Sequence, residues 1–331
     1  MKKALKIVLI LIVIAAIITG GYFMIINSMV KNRFLSDRDF ADINIKNEDA
    51  IYFLNTGSSD AIILQSNGHY AMIDAGEDND NPRNLPALEF KGYEEEILEW
   101  LKKNIADENG NVHLDFVLGT HAHSDHIGGF DTIINDENVF VDKAYLKEYH
   151  SDSIRDYEID EWDNQEVYDQ MVEALNKKSV PIISEISSEP FAFGSFTLTM
   201  LNTGYEDGSR KVGENDNSLV VLVEKDGKKA LLTGDLDNYN NDEEKIAEIV
   251  GTVDLLKVGH HSYNHSTEKN FLQTVYPAVS VITNSYEHTD KRTLKRITEY
   301  TKSRITCTDD EHGIGAIFKD GEIIYTHNVG L

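Results

Sequence analysis

The sequence predicts an α/β protein, a four-layer αβ/βα sandwich preceded by one N-terminal transmembrane helix. Three observations lead to this prediction. Residues 7–26 form an uncharged apolar stretch, short strand patterns joined by hairpin turns follow it, and helical and strand patterns alternate in the second half of the 331-residue chain. Strand-rich halves with helices between their strands indicate two packed sheets covered by helices.

The apolar stretch at residues 7–26 has about the length that crosses a hydrocarbon core of roughly 30 Å as a helix. Lys2, Lys3 and Lys6 precede it, which favours a cytoplasmic N-terminus and places the remaining chain outside the cell. A cleaved signal peptide, giving a secreted protein, is the alternative; however, the stretch is longer than the usual apolar h-region of a signal peptide and no Ala-x-Ala site follows it. We therefore predict a single-pass membrane anchor at residues 1–31, a tether at 32–48 and one folded domain at 49–331.

The first half of the folded domain begins with three strands. They are predicted at residues 51–55, 61–65 and 70–74, and the pair Asn67-Gly68 is typical of a hairpin turn between the last two. The next predicted elements are a helix at 93–104, a buried strand at 114–118, a solvated acidic insertion at 149–163 and a helix at 167–176.

The second half alternates between strands and helices. Strands are predicted at 191–201, 218–224 and 229–232, with a hairpin turn at Asp226-Gly227. The elements that follow are a helix at 242–250, a strand at 254–258, a helix at 267–275, a strand at 279–283, a helix at 292–302 and a hairpin at Asp320-Gly321.

The net charge and the cysteine count exclude some kinds of binding site. The formal net charge is −26, and so acidic a surface repels phosphate backbones, so we expect no strong nucleic-acid binding. The single cysteine, Cys307, excludes an internal disulfide framework and a cysteine-rich metal site. Any bound metal must therefore be held by histidines and carboxylates.

The segment Thr-His-Ala-His-Ser-Asp-His at 120–126 follows the predicted buried strand and concentrates potential metal ligands. Residues two apart at a strand end point the same way, so His121 and His123 can share one cation. The chain then turns, which lets Asp125 and His126 face a second cation. Mixed imidazole and carboxylate ligands suit Zn²⁺ first, with Mn²⁺ or Fe as alternatives. A polar loop with chance histidines is the competing interpretation.

This segment resembles the HxHxDH signature of the metallo-β-lactamase superfamily, and two further segments match in the same order. Met-Ile-Asp-Ala-Gly at 72–76 resembles the first motif, whose aspartate, here Asp74, supports the metal-binding loop without ligating the metal. Leu-Leu-Thr-Gly-Asp at 231–235 resembles the strand that carries the aspartate shared by two cations, here Asp235. The resemblance implies a centre of two divalent metal ions.

Within the superfamily, the sequence is similar to the hydrolase domain of ComEC-type competence channels and to phosphorylcholine esterases that act on teichoic acid. The segments 53–61, 217–220, 233–237 and 255–261 carry this similarity. In these relatives an Asn-Ser-Leu-Val strand, here starting at Asn217, replaces a histidine ligand, and a His-His pair supplies the missing one. The resemblance favours His261 as the ligand, with His260 as a supporting or substrate contact. Asn217 is expected, like Asp74, to support the ligands.

Further along, His288 lies where many relatives have a Gly-His-Pro turn. It is a candidate for the second cation or for protonating the leaving group, and an exposed loop histidine is the alternative. The pair His260-His261 is followed by Ser262 and Tyr263 where relatives have Gly-Ser, so the substrate floor should differ.

The resemblance implies a hydrolase in which two cations bridged by Asp235 lower the pKa of a bound water. Asp125, His260 and His288 are the predicted catalytic residues. A phosphodiester of a cell-envelope polymer or a nucleotide is the predicted substrate, and the oligomeric state is left open. The alternatives are a carboxylic ester or lactam hydrolase of the same fold and a catalytically inactive surface binding module. One predicted span means that this chain is not itself a channel with many spans.

Overall fold

The computed structural model describes residues 28–43, 46–79, 91–205 and 211–331. Two sheets organise these residues. The strands are β1 (Ala50–Phe53), β2 (Ala61–Ser66), β3 (His69–Ala75), β4 (Val112–Leu114), β5 (Phe116–Leu118), β6 (Val139–Val141), β7 (Ala144–Tyr145), β8 (Ile182–Ile183), β9 (Phe191–Phe193), β10 (Phe196–Leu201), β11 (Val220–Lys225), β12 (Lys228–Leu232), β13 (Leu255–Lys257), β14 (Val279–Ile282), β15 (Arg304–Cys307), β16 (Ile314–Lys319) and β17 (Glu322–His327).

The α-helices cover the sheets. They are α1 (Glu94–Asn104), α2 (Ser124–Ile127), α3 (Phe130–Asn135), α4 (Asp156–Glu161), α5 (Asn164–Lys177), α6 (Asp242–Val250), α7 (Lys269–Val275) and α8 (Lys291–Tyr300). The first sheet has the order β17-β16-β1-β2-β3-β5-β7-β8, and the second has the order β15-β14-β13-β12-β11-β10-β9. β4 and β6 form a separate parallel pair.

Strand alternation produces the layers. On β1, Ile51 and Phe53 belong to the core between the two sheets, whereas Ala50 and Tyr52 face a second core beneath α1, α3 and α5. A third core lies between the second sheet and the helices α6, α7 and α8. Successive strand residues point to opposite faces, so each sheet buries both of its surfaces. The order helix, sheet, sheet, helix confirms the predicted four-layer sandwich.

Most predicted elements are present within a few residues of their expected bounds. The hairpins at Asn67-Gly68, Asp226-Gly227 and Asp320-Gly321 all form. The predicted strand at 114–118 is divided at Asp115 into the end of β4 and the whole of β5, which belong to different sheets.

The acidic stretch at 149–163 corrects one prediction. It was expected to be a solvated insertion, but its inner face is buried, including Ile154, Glu158 and Asp163. The physical reason is that the carboxylate of Glu158 has a buried partner, described below, so an acidic composition did not prevent burial.

The predicted transmembrane helix lies outside the described residues, which begin at residue 28. Among the helices in the described ranges, none combines the length and apolar character needed to cross a bilayer.

Residues from the predicted tether contact the folded domain. Leu35 donates its backbone N–H to the carbonyl of Ile305 at 2.8 Å, and Ile305 donates back to Arg33 at 2.9 Å. The side chain of Arg304 pairs with Asp39 at 2.7 Å. These contacts pair the free edge of β15, which is the outermost strand of the second sheet.

Candidate metal centre

The predicted metal ligands converge where strands of both sheets end. The segment 120–126 follows β5 of the first sheet, Asp235 follows β12, and His261 follows β13 of the second sheet. Because β12 and β13 are parallel neighbours, their carboxyl ends meet at one edge, and the two packed sheets bring β5 to the same place. The fold therefore assembles a site from residues distant in sequence.

Four side chains form the centre of this site. The Nε2 atoms of His126 and His261 are each 3.2 Å from Oδ2 of Asp235 and 3.2 Å from one another. Oδ2 of Asp125 lies 3.5 Å from Nε2 of His261. One ligand atom from each of the four residues lies within 4.8 Å of every other. We call these four residues the Asp235 cluster.

A histidine pair lies beside this cluster. Nε2 of His121 is 3.0 Å from Nδ1 of His123, and the rings of His121 and His126 are 4.2 Å apart between centroids. Both residues of the pair are buried. The structure thus places His121 beside His123, and Asp125 and His126 together in the neighbouring Asp235 cluster.

The donor chemistry fits divalent cations. The Nε2 atoms of His126 and His261 are 3.2 Å apart, and carboxylate oxygens of Asp125 and Asp235 lie beside them. Nitrogen and oxygen donors in this combination suit Zn²⁺, Mn²⁺ or Fe. Burial of so many ionisable groups without compensation would be costly, and a bound cation offsets that cost.

Hydrogen bonds orient two of the histidines. Oδ2 of Asp74 is 2.7 Å from Nδ1 of His126, and Asp74 also accepts from the backbone and the hydroxyl of Thr120, each at 2.8 Å. Nδ1 of His261 lies 3.2 Å from the carbonyl of Thr283. We assign the proton to Nδ1 of both rings, since these partners accept, and this leaves Nε2 free to ligate. Asp74 therefore fixes the ring of His126 and the start of the ligand loop at Thr120.

The charges of the site favour a cation. Burial opposes protonation of His126 and His261, but Asp235 and the neighbouring carboxylates outweigh it, raising the pKa of His126 well above its usual range and that of His261 to about 9. Burial and the neighbouring His126 and His123 lower the pKa of His121 well below its usual range. The carboxylates thus create a negative potential around His126 and His261 that attracts positive charge.

A buried lysine and aspartate belong to the site and were missed in the sequence. Nζ of Lys257 lies 2.6 Å from Oδ2 of Asp60 and 3.3 Å from Oδ1 of Asp235, and it donates to the carbonyl of Gly234 at 2.8 Å. Asp60, Asp74 and His126 form a second group of potential ligands, but Lys257 and Thr120 already pair its two carboxylates. The sequence did contain one indication of this site, because a lysine within the apolar strand β13 needs a buried acidic partner.

Glu158 was also missed. Its Oε1 lies 2.8 Å from Nε2 of His123, and both side chains are buried. The ring of Trp162 packs beside His123, with centroids 5.1 Å apart. Composition alone gave no signal for either contact, because acidic residues recur throughout the surrounding segment.

His260 lies at the margin of the site. Its Nε2 is 3.9 Å from Oδ2 of Asp235, its Nδ1 is 3.4 Å from Oδ1 of Asp237, and about a quarter of its side chain is exposed. Both His260 and His261 have a positive φ, 49° and 47°, and the planes of the two rings are inclined by 74° to one another. The structure therefore brings His261 into the Asp235 cluster and leaves His260 beside it.

The remaining predicted residues lie further out. His288 is on an exposed turn, where its Nδ1 is 3.2 Å from the hydroxyl of Ser285, and it belongs to neither ligand group. Asn217 donates to Oε2 of Glu214 at 3.0 Å, and Oε1 of Glu214 accepts from the backbone of Ala122, between the paired histidines. Asn217 thus contacts the ligand loop through Glu214.

Comparison with known proteins agrees with this geometry. The family model for the metallo-beta-lactamase superfamily matches residues 54–282, well over half of the chain. ComE operon protein 3 of Bacillus subtilis is 24% identical over 220 residues, which cover 64% of this chain and 25% of that protein. Recombination protein 2 of Haemophilus influenzae is 39% identical over 69 residues, which cover 21% of this chain and 8% of that protein. The chain thus matches a quarter or less of either relative.

Among solved structures, the metallo-beta-lactamase fold protein YhfI from Bacillus subtilis is similar, with a TM-score of 0.47 and 14% identity. The match covers 78% of this chain and 96% of YhfI. The family match, together with the two-sheet sandwich and the ligands at its strand ends, leads to one conclusion. The chain belongs to the metallo-β-lactamase superfamily.

Proposed function

We propose that this protein is a metal-dependent hydrolase that cleaves a phosphodiester of a cell-envelope polymer or a nucleotide. The observation that carries the proposal is the convergence of Asp125, His126, Asp235 and His261 beside the pair His121 and His123. A binding module that lacks metal chemistry would have no physical need for so many buried ligand atoms in one place.

In this proposal His121 and His123 would hold one cation, Asp125, His126 and His261 would hold a second, and the carboxylate of Asp235 would serve both. When bound, two such cations lower the pKa of a water molecule and neutralise charge that develops on the attacked group. The chain's own residues position the ligands, through Asp74, Thr120 and Thr283.

His260 is suited to transfer a proton to the leaving oxygen. Part of its side chain is exposed, so a substrate can contact it. Its Nδ1 lies 3.4 Å from Oδ1 of Asp237 and 3.3 Å from Nδ2 of Asn215, and these contacts hold the ring in place. A positioned imidazole that acts as a general acid or base typically raises the reaction rate by about 10²–10⁴-fold. His288 is a weaker candidate because its exposed turn lies outside both ligand groups.

Phosphodiesters are favoured over carbon esters because paired cations suit an in-line displacement at phosphorus. The resemblance of segments 53–61, 217–220, 233–237 and 255–261 to phosphorylcholine esterases supports the same assignment. The net charge of −26 disfavours long duplex DNA, so we propose smaller or cell-envelope substrates.

A chelation experiment tests the function. We expect the purified full chain to contain divalent metal, to hydrolyse bis(p-nitrophenyl) phosphate, to lose this activity after chelation and to regain it with Zn²⁺ or Mn²⁺. His126→Ala should lower the rate by more than about 100-fold, because it removes a ligand rather than only a supporting contact. His69→Ala is the matched control, since His69 is an exposed histidine paired with Asp115 at 2.7 Å.

Two results would contradict the proposal. Hydrolysis of a chromogenic β-lactam without cleavage of the phosphodiester would favour the lactam hydrolase. A protein that binds no metal and stays inactive after reconstitution would favour the binding module.

We also propose that residues 1–31 anchor the hydrolase domain at the outer face of the cell membrane. The three lysines before an apolar stretch of twenty residues support this orientation. We expect the full chain in the membrane fraction of intact cells and the domain accessible to external protease. Recovery of the domain in the culture medium, with a new N-terminus after residue 26, would instead indicate signal cleavage.

A further inference from the structure

The acidic segment at residues 149–163 reaches the candidate metal centre through one side chain. Glu158, on α4, is buried and places Oε1 2.8 Å from Nε2 of His123. The segment is fixed at this place by a short parallel bridge between Ile154 and Val212, with backbone hydrogen bonds from Arg155 to Val212 and from Val212 to Ser153, each of 3.0 Å.

The contacting oxygen of Glu158 has additional donors. It accepts from the backbone N–H of Glu214 at 2.9 Å and from the side-chain amide of Asn164 at 3.2 Å. These two groups can only donate in this arrangement, so Oε1 is an unprotonated acceptor and does not donate to His123. Nε2 of His123 must therefore carry the proton in this hydrogen bond.

This assignment determines which nitrogen of His123 can bind metal. With the proton on Nε2, the lone pair is on Nδ1, which lies 3.0 Å from Nε2 of His121. His126 and His261 have the opposite arrangement, with Nδ1 held by Asp74 or Thr283 and Nε2 directed inward. Their partners come from the ends of sheet strands, whereas the partner of His123 comes from a segment outside both sheets.

We propose that Glu158 is the positioning residue for the cation subsite formed by His121 and His123, which makes the acidic segment part of the active site. The proposal rests on the proposed function, because it assumes two cation subsites. The ring of Trp162, packed against His123 at the end of the same segment, supports it. The Asp235 cluster has its own supporting contacts and does not depend on Glu158.

The test is a metal titration of the full chain after chelation, carried out with Co²⁺ and Zn²⁺. We expect wild type to bind two equivalents. Glu158→Gln keeps the size of the side chain and removes its charge, and it should weaken one equivalent by about 10–100-fold, the usual effect of losing such a partner. The second equivalent should keep its affinity, and the Co²⁺ absorption bands of one subsite alone should change.

Two further variants separate positioning from a general structural role. Glu161→Gln is the matched control, because Glu161 ends the same helix and is exposed, and it should change neither equivalent. In a His123→Ala background, Glu158→Gln should have no additional effect, since a residue that acts through His123 has nothing left to position. Thermal unfolding of each chelated variant verifies that it folds.

Specific results would overturn the proposal. Equal weakening of both equivalents would assign Glu158 to the scaffold, and unchanged titration would remove it from the site altogether. Additive effects of Glu158→Gln and His123→Ala would show that Glu158 does not act through His123. If wild type binds fewer than two equivalents, the proposed two-cation centre itself is wrong, which is a different failure.

Discussion

Asp235→Asn is expected to abolish hydrolysis and to lower metal affinity by more than about 100-fold, beyond the usual effect of losing a partner that only supports a ligand. Oδ2 of Asp235 is equally close, at 3.2 Å, to Nε2 of His126 and of His261. Although burial opposes ionisation, these two histidines and Lys257 hold the pKa of Asp235 well below its usual range. The amide has the same shape but no negative charge, which the proposed two-cation centre requires at this position.

Metal content after dialysis, phosphodiesterase turnover and the thermal unfolding temperature together test this prediction. Asp226→Asn is a suitable control, because Asp226 is an exposed turn residue with a positive φ that asparagine also tolerates. An Asp235→Asn protein with wild-type turnover would refute the two-cation scheme.

Lys257→Met is expected to lower the free energy of unfolding of the chelated protein by about 3–5 kcal/mol, the range for removing one partner of a buried ion pair. Nζ of Lys257 contacts Asp60 at 2.6 Å and Asp235 at 3.3 Å, and all three side chains are buried. Methionine fills most of the volume but removes the nearest positive charge from the buried carboxylate of Asp60, whose next basic neighbour is Nδ1 of His261 at 3.5 Å. Urea unfolding in the presence of a chelator measures the effect.

A second variant distinguishes charge from packing. Adding Asp60→Asn to Lys257→Met removes the uncompensated charge and should recover part of the lost stability. Lys228→Met is the comparison, since Lys228 pairs with Asp254 at 3.1 Å near the surface and should cost no more than about 1 kcal/mol. Equal losses for Lys257→Met and Lys228→Met would show that the buried pair is not a stabilising contact of the site.

Local patterns predicted the features that local physics controls. Asn67-Gly68 and Asp226-Gly227 specify tight turns through two residues, and the buried strand before residue 119 specified where the ligand loop begins. The spacing of His121, His123, Asp125 and His126 was enough to predict metal ligands in this loop, and the structure places all four side chains close together. These features need only a few neighbouring residues, so a single sequence contains them.

Contacts between distant segments could not be predicted in the same way. Nothing around Glu158 distinguishes it from the exposed acids on the same helix, because its burial is decided by His123, 35 positions earlier. Asp60 and Lys257 illustrate a missed signal, since a charged residue in an apolar strand requires a partner. The predicted strand at 114–118 is divided at Asp115 because β4 pairs with β6 and β5 pairs within the first sheet. Those pairings depend on tertiary structure and not on the local sequence.

The backbone pairing between residues 33–35 and β15 bears on how this protein is produced. A recombinant fragment trimmed to residue 49, where the predicted folded domain begins, would lose the hydrogen bonds from Leu35 and to Arg33. The unpaired donors and acceptors of β15 would then be available to other copies, a common route to aggregation. Expression should therefore begin upstream of Arg33, so that the chain protects its own outermost strand.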